Sequence, residues 1–563
     1  MQRNILTKST ASKVISKFKQ FCMRFLVVAT MLSFLNASAI AQTSSNSNLI
    51  FCAGGDPSHF DPGQLTTGTD FSASANVIYN RLIEFQSGTS AIEPGLAEKW
   101  TISDDGLEYI FSLRKNVKFH TNFDFKPQRH FNADDVIFTF KRFMDKNYGF
   151  NQIYPSTFPY FESMGLSKNI VRVEKLDEYK VRFLLKDVDA PFLQNLAMPS
   201  FSILSKEYAD YLVKNNRVAQ IAQQPIGTGP FIFTNYKRGA VIRYRKNPEY
   251  WAPERVGVDR LIFSIVKDSA TRLQKMRIGE CDVSEHPKPS ELSQYKNAPN
   301  INVMEKVGFH LSYLAINHTK KPFDNENVRK ALELAINKAE LVKHVHNMQA
   351  DIASNAMPPS QWSSIDTQDQ ITNAYNPKLA KELLQQAGFD FNQIIRLHAM
   401  DIQRPYNPNA RLTAEMIQGD WKKIGIKTMI VQAEWGKYGS DMRAGRYDVA
   451  LYGWSGDNGD PDNWLNALLG CNAIGGTNVS RYCGNKDGFE QLVEWARQTL
   501  STPERIKLYQ KAQKIFAVKR PFIPLTYART FQPVNKRVNN FVVQLMGSTS
   551  FTDMQINRYI INE

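Results

Sequence analysis

Two charged side chains follow apolar segments at positions where a sheet would present them together. Arg404 lies four residues after the apolar run 394–400, and Asp457 lies three residues after Trp454. A guanidinium pairs well with a carboxylate, and a carboxylate accepts hydrogen bonds from an ammonium group. If both loops rim one cleft, the two side chains could hold a zwitterion whose charges are separated as in an extended dipeptide, at roughly 3.5 Å per residue. A structural ion pair, or charges solvated on loops, would explain the same spacing.

The elements around these loops indicate an α/β fold. Apolar segments 394–400, 426–431 and 448–454 predict strands, and residues 413–424 predict a helix that Gly425 ends. This alternation favours a mainly parallel sheet covered by helices. Ligands of such sheets bind beyond the carboxyl ends of the strands, where Arg404 and Asp457 lie.

The N-terminal half also combines strands and helices. Alternating apolar residues predict strands at 109–113 and again at Val117 and Phe119. Asn132 is a good N-cap for a helix whose predicted buried stripe includes Val136 and Phe140. The whole chain is therefore expected to be α/β, with mixed sheets flanked by helices.

Residues 1–41 are typical of a secretory signal peptide. They contain six basic residues, no acidic residue, an apolar run from Phe25 to Leu35, and small residues at 37–41. The apolar run is much shorter than the roughly 20 residues that span a bilayer. We expect cleavage before Gln42 and a periplasmic location for the mature chain.

The cysteines support an oxidising compartment. Cys22 lies in the signal peptide, which leaves Cys52, Cys281, Cys471 and Cys483. An even number of cysteines in an exported chain predicts two disulfides, with three pairings possible. The separation of twelve residues between Cys471 and Cys483 favours that local bridge, which leaves Cys52 to pair with Cys281.

Composition and motifs disfavour several functions. The chain has 563 residues and a formal net charge of +15, which falls to +9 without the six basic residues of the signal peptide. Basic residues are scattered, so no nucleic-acid partner is expected. No metal or cofactor is expected either, because the histidines lack ligand spacing and the loop 457–462 lacks the order of a calcium loop. A secreted hydrolase is a weaker alternative, since no nucleophile or zinc-protease motif is present.

Several motifs together resemble one family across essentially the whole mature chain. They occur in order at Ala97–Trp100, Tyr109–Arg114, Val117–His120, Asn132–Val136, Pro225–Phe231 and Arg404–Arg411. The sequence resembles the periplasmic solute-binding proteins of peptide ABC importers, family 5, and most nearly their dipeptide-binding branch. The resemblance implies a binding protein without catalytic activity that captures short peptides and delivers them to inner-membrane permease subunits.

The resemblance also assigns roles to the two charged loops. It implies that Arg404 holds the carboxylate of the peptide and that Asp457 holds its ammonium group. The four cysteines of the mature chain match two disulfides of the relatives. A further alternative within the family is binding of haem, a haem precursor or a longer, antimicrobial peptide.

Family architecture implies two lobes with a ligand cleft between them. The larger lobe is expected to comprise 42–307 and the returning tail 525–563, and the smaller lobe 308–524. Tyr406, Trp435 and Trp454 lie near strand ends and are candidate apolar walls of the cleft, although core packing explains them as well. The protein is expected to be a monomer, with a chemoreceptor as a further candidate partner.

Overall fold

The computed structural model describes residues 47–365, 375–433 and 435–557, and the side chain of Trp435 lies outside this description. The predicted signal peptide, 1–41, also lies outside the described residues. Within the described ranges, no helix is both long and apolar enough to cross a membrane.

Strands and helices alternate along the chain, as predicted. The strands are β1 Asn48–Ala53, β2 Ile83–Phe85, β3 Ile92–Pro94, β4 Ala97–Ile102, β5 Glu108–Leu113, β6 Ile170–Asp177, β7 Lys180–Leu185, β8 Phe231–Lys237, β9 Val241–Lys246, β10 Arg260–Ile265, β11 Val283–Ser284, β12 Ile301–Ile316, β13 Ala350–Ile352, β14 Ile394–Met400, β15 Lys427–Ala433, β16 Val449–Ser455, β17 Phe522–Asn535, β18 Val538–Asn539 and β19 Gln555–Ile556.

The α-helices flank these strands. They are Gly68–Ala73, Ala75–Ile78, Ala133–Met144, Gly149–Ile153, Pro159–Ser163, Leu166–Asn169, Phe192–Leu196, Lys206–Lys214, Ser269–Arg277, Leu292–Lys296, Glu326–Leu334, Lys338–His344, Pro377–Gln386, Ala410–Lys423, Trp435–Arg443, Asp462–Leu469, Phe489–Gln498 and Thr502–Lys519.

One large sheet runs through the molecule. Its strand order is β15-β14-β16-β12-β17-β11-β1-β10-β9-β8, with β13 attached to β17. β14 is parallel to both β15 and β16, which confirms the parallel sheet predicted for this part of the chain. β12 and β17 are long and antiparallel to each other, and they join this region to the rest of the sheet. A separate four-stranded sheet has the order β4-β5-β7-β6.

Two hydrophobic cores lie along this sheet. We call the first core the buried apolar cluster drawn from residues 49–283 and 534–554, and the second core the cluster drawn from residues 309–527. β12 and β17 extend from one core to the other. The two cores agree with a two-lobed protein, while the lobe boundaries at 308 and 525 stay a prediction.

The predicted helix cap at Asn132 is present. The Asn132 side chain accepts a hydrogen bond from the Asp134 N–H at 3.0 Å, and Asp135 accepts one from the Asn132 N–H at 3.0 Å. Val136 and Phe140 are buried, as the sequence pattern indicates. The strand predicted at Val117 and Phe119 is wrong: both residues are buried, but they lie in irregular chain that pairs with no strand.

The cysteines form two bridges. Cys52 is bonded to Cys281, with their Cα atoms 5.8 Å apart, and Cys471 is bonded to Cys483, with a Cα separation of 4.7 Å. The first bridge ties β1 to the chain just before β11. The second closes a short loop after the helix Asp462–Leu469.

Candidate functional site

The two charged loops lie at one edge of the sheet because of how their strands pair. β14 and β16 are parallel neighbours, with Leu397 opposite Val449 and His398 opposite Ala450. Their carboxyl ends therefore meet at the same edge. Arg404 follows β14 and Asp457 follows β16, so the structure brings both loops to the position where α/β sheets bind ligands.

The Arg404 loop is held by its own backbone. Arg404 and Asn407 exchange two backbone hydrogen bonds, each of 3.0 Å. The Asn407 side chain accepts from the Asn409 N–H at 3.1 Å, and Asn409 caps the helix Ala410–Lys423 by accepting from the Leu412 N–H at 3.1 Å. These bonds fix the loop between β14 and the following helix, and so restrict where the Arg404 guanidinium can lie.

Tyr406 packs this loop onto the neighbouring strand. Its ring is buried in the second core and lies directly on Gly453 of β16, where a Cβ atom would overlap the ring. The absence of a side chain at Gly453 therefore allows the Arg404 loop to approach the strand that precedes Asp457. This geometry gives Tyr406 a packing role. Its role as a wall of the cleft stays a prediction.

Asp457 lies in a network of side chains from both cores. Its Oδ1 accepts a hydrogen bond from the Tyr160 hydroxyl at 2.9 Å, across 297 residues of sequence. Its N–H donates to Asn463 Oδ1 at 2.9 Å, and Asn463 Nδ2 lies 3.4 Å from Asp457 Oδ2. Trp454 Nε1 donates to the same Asn463 oxygen at 3.0 Å. Trp454 thus helps to fix the Asp457 loop.

The surroundings of Asp457 disfavour its ionised form. Burial raises the pKa of the Asp457 carboxyl to about 7, although the hydrogen bonds from Tyr160 and Asn463 act to lower it. Loss of water contacts outweighs these two neutral donors. A cation placed beside the carboxylate would reverse this effect, so the site is suited to an ammonium group.

Tyr452 of β16 lies near both charged loops. Burial raises the pKa of Tyr452, and the positive charge of Arg404 opposes that rise. The Tyr452 hydroxyl also contributes to the raised pKa of Tyr160, after burial and Asp457. Tyr452 therefore lies within electrostatic reach of Arg404 and of the Tyr160–Asp457 pair.

Arg404 and Asp457 line two different pockets. Arg404 lines one of about 450 Å³ together with His286, His310 and Thr530. Asp457 lines one of about 810 Å³, whose other walls come from residues between Ala75 and Arg255 and between Gln544 and Thr552. His310 lies between β16 and β17, with its Nδ1 2.8 Å from Ser455 Oγ and its Nε2 2.9 Å from Thr530 Oγ1.

Sequence reasoning did not identify several of these residues. Tyr160 and Tyr452 contribute to the surroundings of Asp457 or Arg404, and no local motif marked either of them. Asn463 could have been noticed, because it follows the predicted polar loop directly. Trp435 begins the helix Trp435–Arg443, but its side chain lies outside the described residues, so its predicted contact with the cleft stays a prediction.

No cluster of three histidine, cysteine or acidic side chains is arranged to hold a metal ion within the described ranges.

Comparison with known proteins identifies the class. The model for bacterial extracellular solute-binding proteins, family 5 Middle, matches residues 91–476. The chain belongs to this family of binding proteins, and its fold is the two-lobed α/β architecture of that class.

Individual relatives cover nearly the whole chain. Di/tripeptide-binding protein 1 of Pseudomonas aeruginosa is 49% identical over 533 residues, covering 94% of this chain and 98% of the relative. Heme-binding protein A of Haemophilus influenzae is 40% identical over 522 residues, with coverage of 92% and 94%. The crystal structure of a dipeptide-binding protein from Pseudoalteromonas sp. SM9913 in complex with Met-Leu is 35% identical, with a TM-score of 0.84 and coverage of 91% and 100%.

Proposed function

We propose that this protein is the periplasmic binding component of an ABC importer and that it captures short peptides, chiefly dipeptides, between two lobes. Residues 1–41 direct export, and inner-membrane permease subunits receive the ligand. The larger lobe comprises 42–307 and 525–563, and the smaller lobe 308–524. The protein acts as a monomer, and a chemoreceptor is a further candidate partner.

The environment of Asp457 is the observation that carries this proposal. Its carboxylate is enclosed by Tyr160 from the first core and by Asn463, and its pKa is raised to about 7. An enclosed carboxylate with neutral neighbours is stabilised by a cation that enters with the ligand. The α-ammonium group of a peptide has the required charge and hydrogen-bond donors.

Arg404 supplies the complementary charge in this proposal. Its loop follows β14, at the same sheet edge as the Asp457 loop, and its guanidinium suits a carboxylate. A ligand with an ammonium group at one end and a carboxylate at the other would engage both loops. Such a ligand would also stabilise the closed lobes, because Asp457 reaches Tyr160 of the other core only when the lobes meet.

Peptide binding without catalysis is testable on the purified protein. Native mass spectrometry after purification without denaturation should show a co-purified mass in the range of short peptides. Incubation with a dipeptide should return the peptide intact, with no amine released. A co-purified haem mass would indicate that the ligand is haem rather than a dipeptide. Release of amine would contradict a binding protein without catalytic activity.

A further inference from the structure

A second contact between the two cores lies outside the charged loops. Arg497 Nε donates to Asp189 Oδ1 at 3.0 Å, and Arg497 Nη2 lies 3.1 Å from Asp189 Oδ2. The same Nη2 donates to the Met164 carbonyl at 2.7 Å, and the Ala190 N–H donates to the Arg497 carbonyl at 2.8 Å. Side chain and backbone of Arg497 are therefore both engaged.

The partners of this contact belong to different cores. Asp189 precedes the helix Phe192–Leu196, whose Phe192 is buried in the first core. Arg497 lies in the helix Phe489–Gln498, whose Val493 and Ala496 are buried in the second core. The pair therefore joins the two cores.

The Arg497–Asp189 pair is enclosed and continues into the Asp457 loop. The Asp189 side chain is fully buried and that of Arg497 is 19% exposed. Burial acts to lower the pKa of Arg497, but Asp189 and Asp462 outweigh it and raise that pKa. Asp460 of the same loop pairs with Arg505, at 2.8 Å.

Neighbouring polar contacts cross at the same face. Asn458 Nδ2 donates to Asn195 Oδ1 at 2.6 Å, and Lys168 Nζ donates to Asn472 Oδ1 at 3.3 Å. The first bond joins two buried neutral amides and the second is exposed, so neither leaves an enclosed charge unpaired when it breaks. The Arg497–Asp189 pair differs, because removal of the arginine would leave a carboxylate buried and uncompensated in the closed arrangement alone.

We propose that Arg497 and Asp189 form an interlobe latch that stabilises the closed arrangement without contacting the ligand. The latch favours closure in the free protein and slows ligand release in the complex, because neither partner needs the ligand to pair. Its effect on dipeptide affinity rests on the function proposed above, whereas its effect on closure of the free protein does not.

The test compares Arg497→Met with a matched control, Arg537→Met. Arg537 forms the same two-pronged pair with Asp282, through Nε at 2.5 Å and Nη2 at 2.8 Å, with side-chain exposures of 26% and 0%. That pair lies beside β1 and β11 and does not join the two cores. Loss of stability alone would therefore affect both variants.

Two readouts are measured at pH 7 under conditions where each variant is folded by circular dichroism. The first is hydrogen–deuterium exchange of the peptide covering 187–197 in the free protein, which reports the interlobe bond of the Ala190 amide. The second is the affinity and dissociation rate of a dipeptide. Arg497→Met should exchange faster at 187–197 and bind at least about tenfold more weakly through faster release. Arg537→Met should change neither readout by more than about twofold.

Asp189→Asn tests the latch with a smaller change. As a single substitution it should reproduce part of the faster exchange and weaker binding seen in Arg497→Met. In the double variant it should add little to Arg497→Met, because the pair is already broken. Unchanged exchange at 187–197 in Arg497→Met, or equal effects of Arg497→Met and Arg537→Met, would overturn the latch. Faster exchange in Arg497→Met, together with no dipeptide binding by the native protein, would support the latch and overturn the proposed function.

Discussion

Asp457→Asn is the substitution whose effect on binding can be worked out most fully. The variant keeps the shape of the side chain and can still interact with Tyr160 and Asn463. It removes the negative charge that an ammonium group would meet. The pKa of Asp457 is about 7 against an ordinary 3.8, so its ionised form is disfavoured by about 4 kcal/mol relative to an aspartate in water, at 1.36 kcal/mol per pKa unit.

The ammonium group of the ligand must offset this cost, which makes the pair sensitive to loss of either partner. Removing one partner of an enclosed charge pair typically costs about 2–5 kcal/mol. We therefore expect Asp457→Asn to weaken binding of a free dipeptide by about 30-fold or more. An N-acetylated dipeptide has no ammonium group, so the variant should bind it as well as the native protein does, or better.

The assay is isothermal titration calorimetry at pH 7 with both ligands and a matched control. Asp487→Asn removes a partly buried aspartate that also accepts from a tyrosine hydroxyl, that of Tyr482 at 2.6 Å, away from the charged loops. It should leave both affinities within about twofold. If Asp457→Asn weakened free and N-acetylated dipeptides by the same factor, the carboxylate would have a structural role only, and the reasoning would be refuted.

Three further predictions concern the framework of the site. The mature protein should have no titratable thiol when denatured without reductant, because all four of its cysteines are bridged, and two or more thiols would contradict this. Gly453→Ala should lower the unfolding free energy in urea by about 1–3 kcal/mol and weaken dipeptide binding, since the added methyl group displaces Tyr406. The control is Gly419→Ala, at a helix position with open space, which should do neither. Equal effects of the two substitutions would refute the packing argument. Unfolding free energy should fall on acidification below pH 6.5, because burial lowers the pKa of four histidines to about 3 or 4, so the unfolded chain takes up protons that the folded one does not. Asp457 and Asp462, whose pKa values are raised to about 7 and 6, hold protons in the folded state and offset part of this fall between pH 6 and 5. Urea titrations at pH 6 and pH 5 measure the change in unfolding free energy. A free energy that stays constant or rises on acidification would contradict the prediction. The four histidines are His120, His310, His318 and His346.

The local part of the site could be predicted from the sequence. The apolar runs at 394–400 and 448–454 correspond closely to β14 and β16, because short buried strands bounded by polar loops leave a clear pattern. The loops that carry Arg404 and Asp457 follow directly from those strands. Parallel alternation then predicts that both loops lie at one sheet edge.

Contacts across long sequence separations could not be predicted in this way. Tyr160 meets Asp457 across 297 residues, and Asp189 meets Arg497 across 308. Such pairs depend on how the two cores are oriented, which no local pattern records. At Val117 and Phe119 the sequence predicted a strand that is absent. The alternating apolar residues there are buried, but no neighbouring strand pairs with this segment.

The central claim is that Arg404 and Asp457 bind the two ends of one peptide. Calorimetric titration of Arg404→Ala with a free dipeptide and with its C-amidated form tests this claim most directly, since Asp457 and the ammonium group are unchanged. We expect the variant to bind the free dipeptide about 30-fold or more weakly than the native protein, and the amidated dipeptide with nearly native affinity. Equal weakening of both ligands would show that Arg404 supports the loop rather than the carboxylate, and would contradict the account.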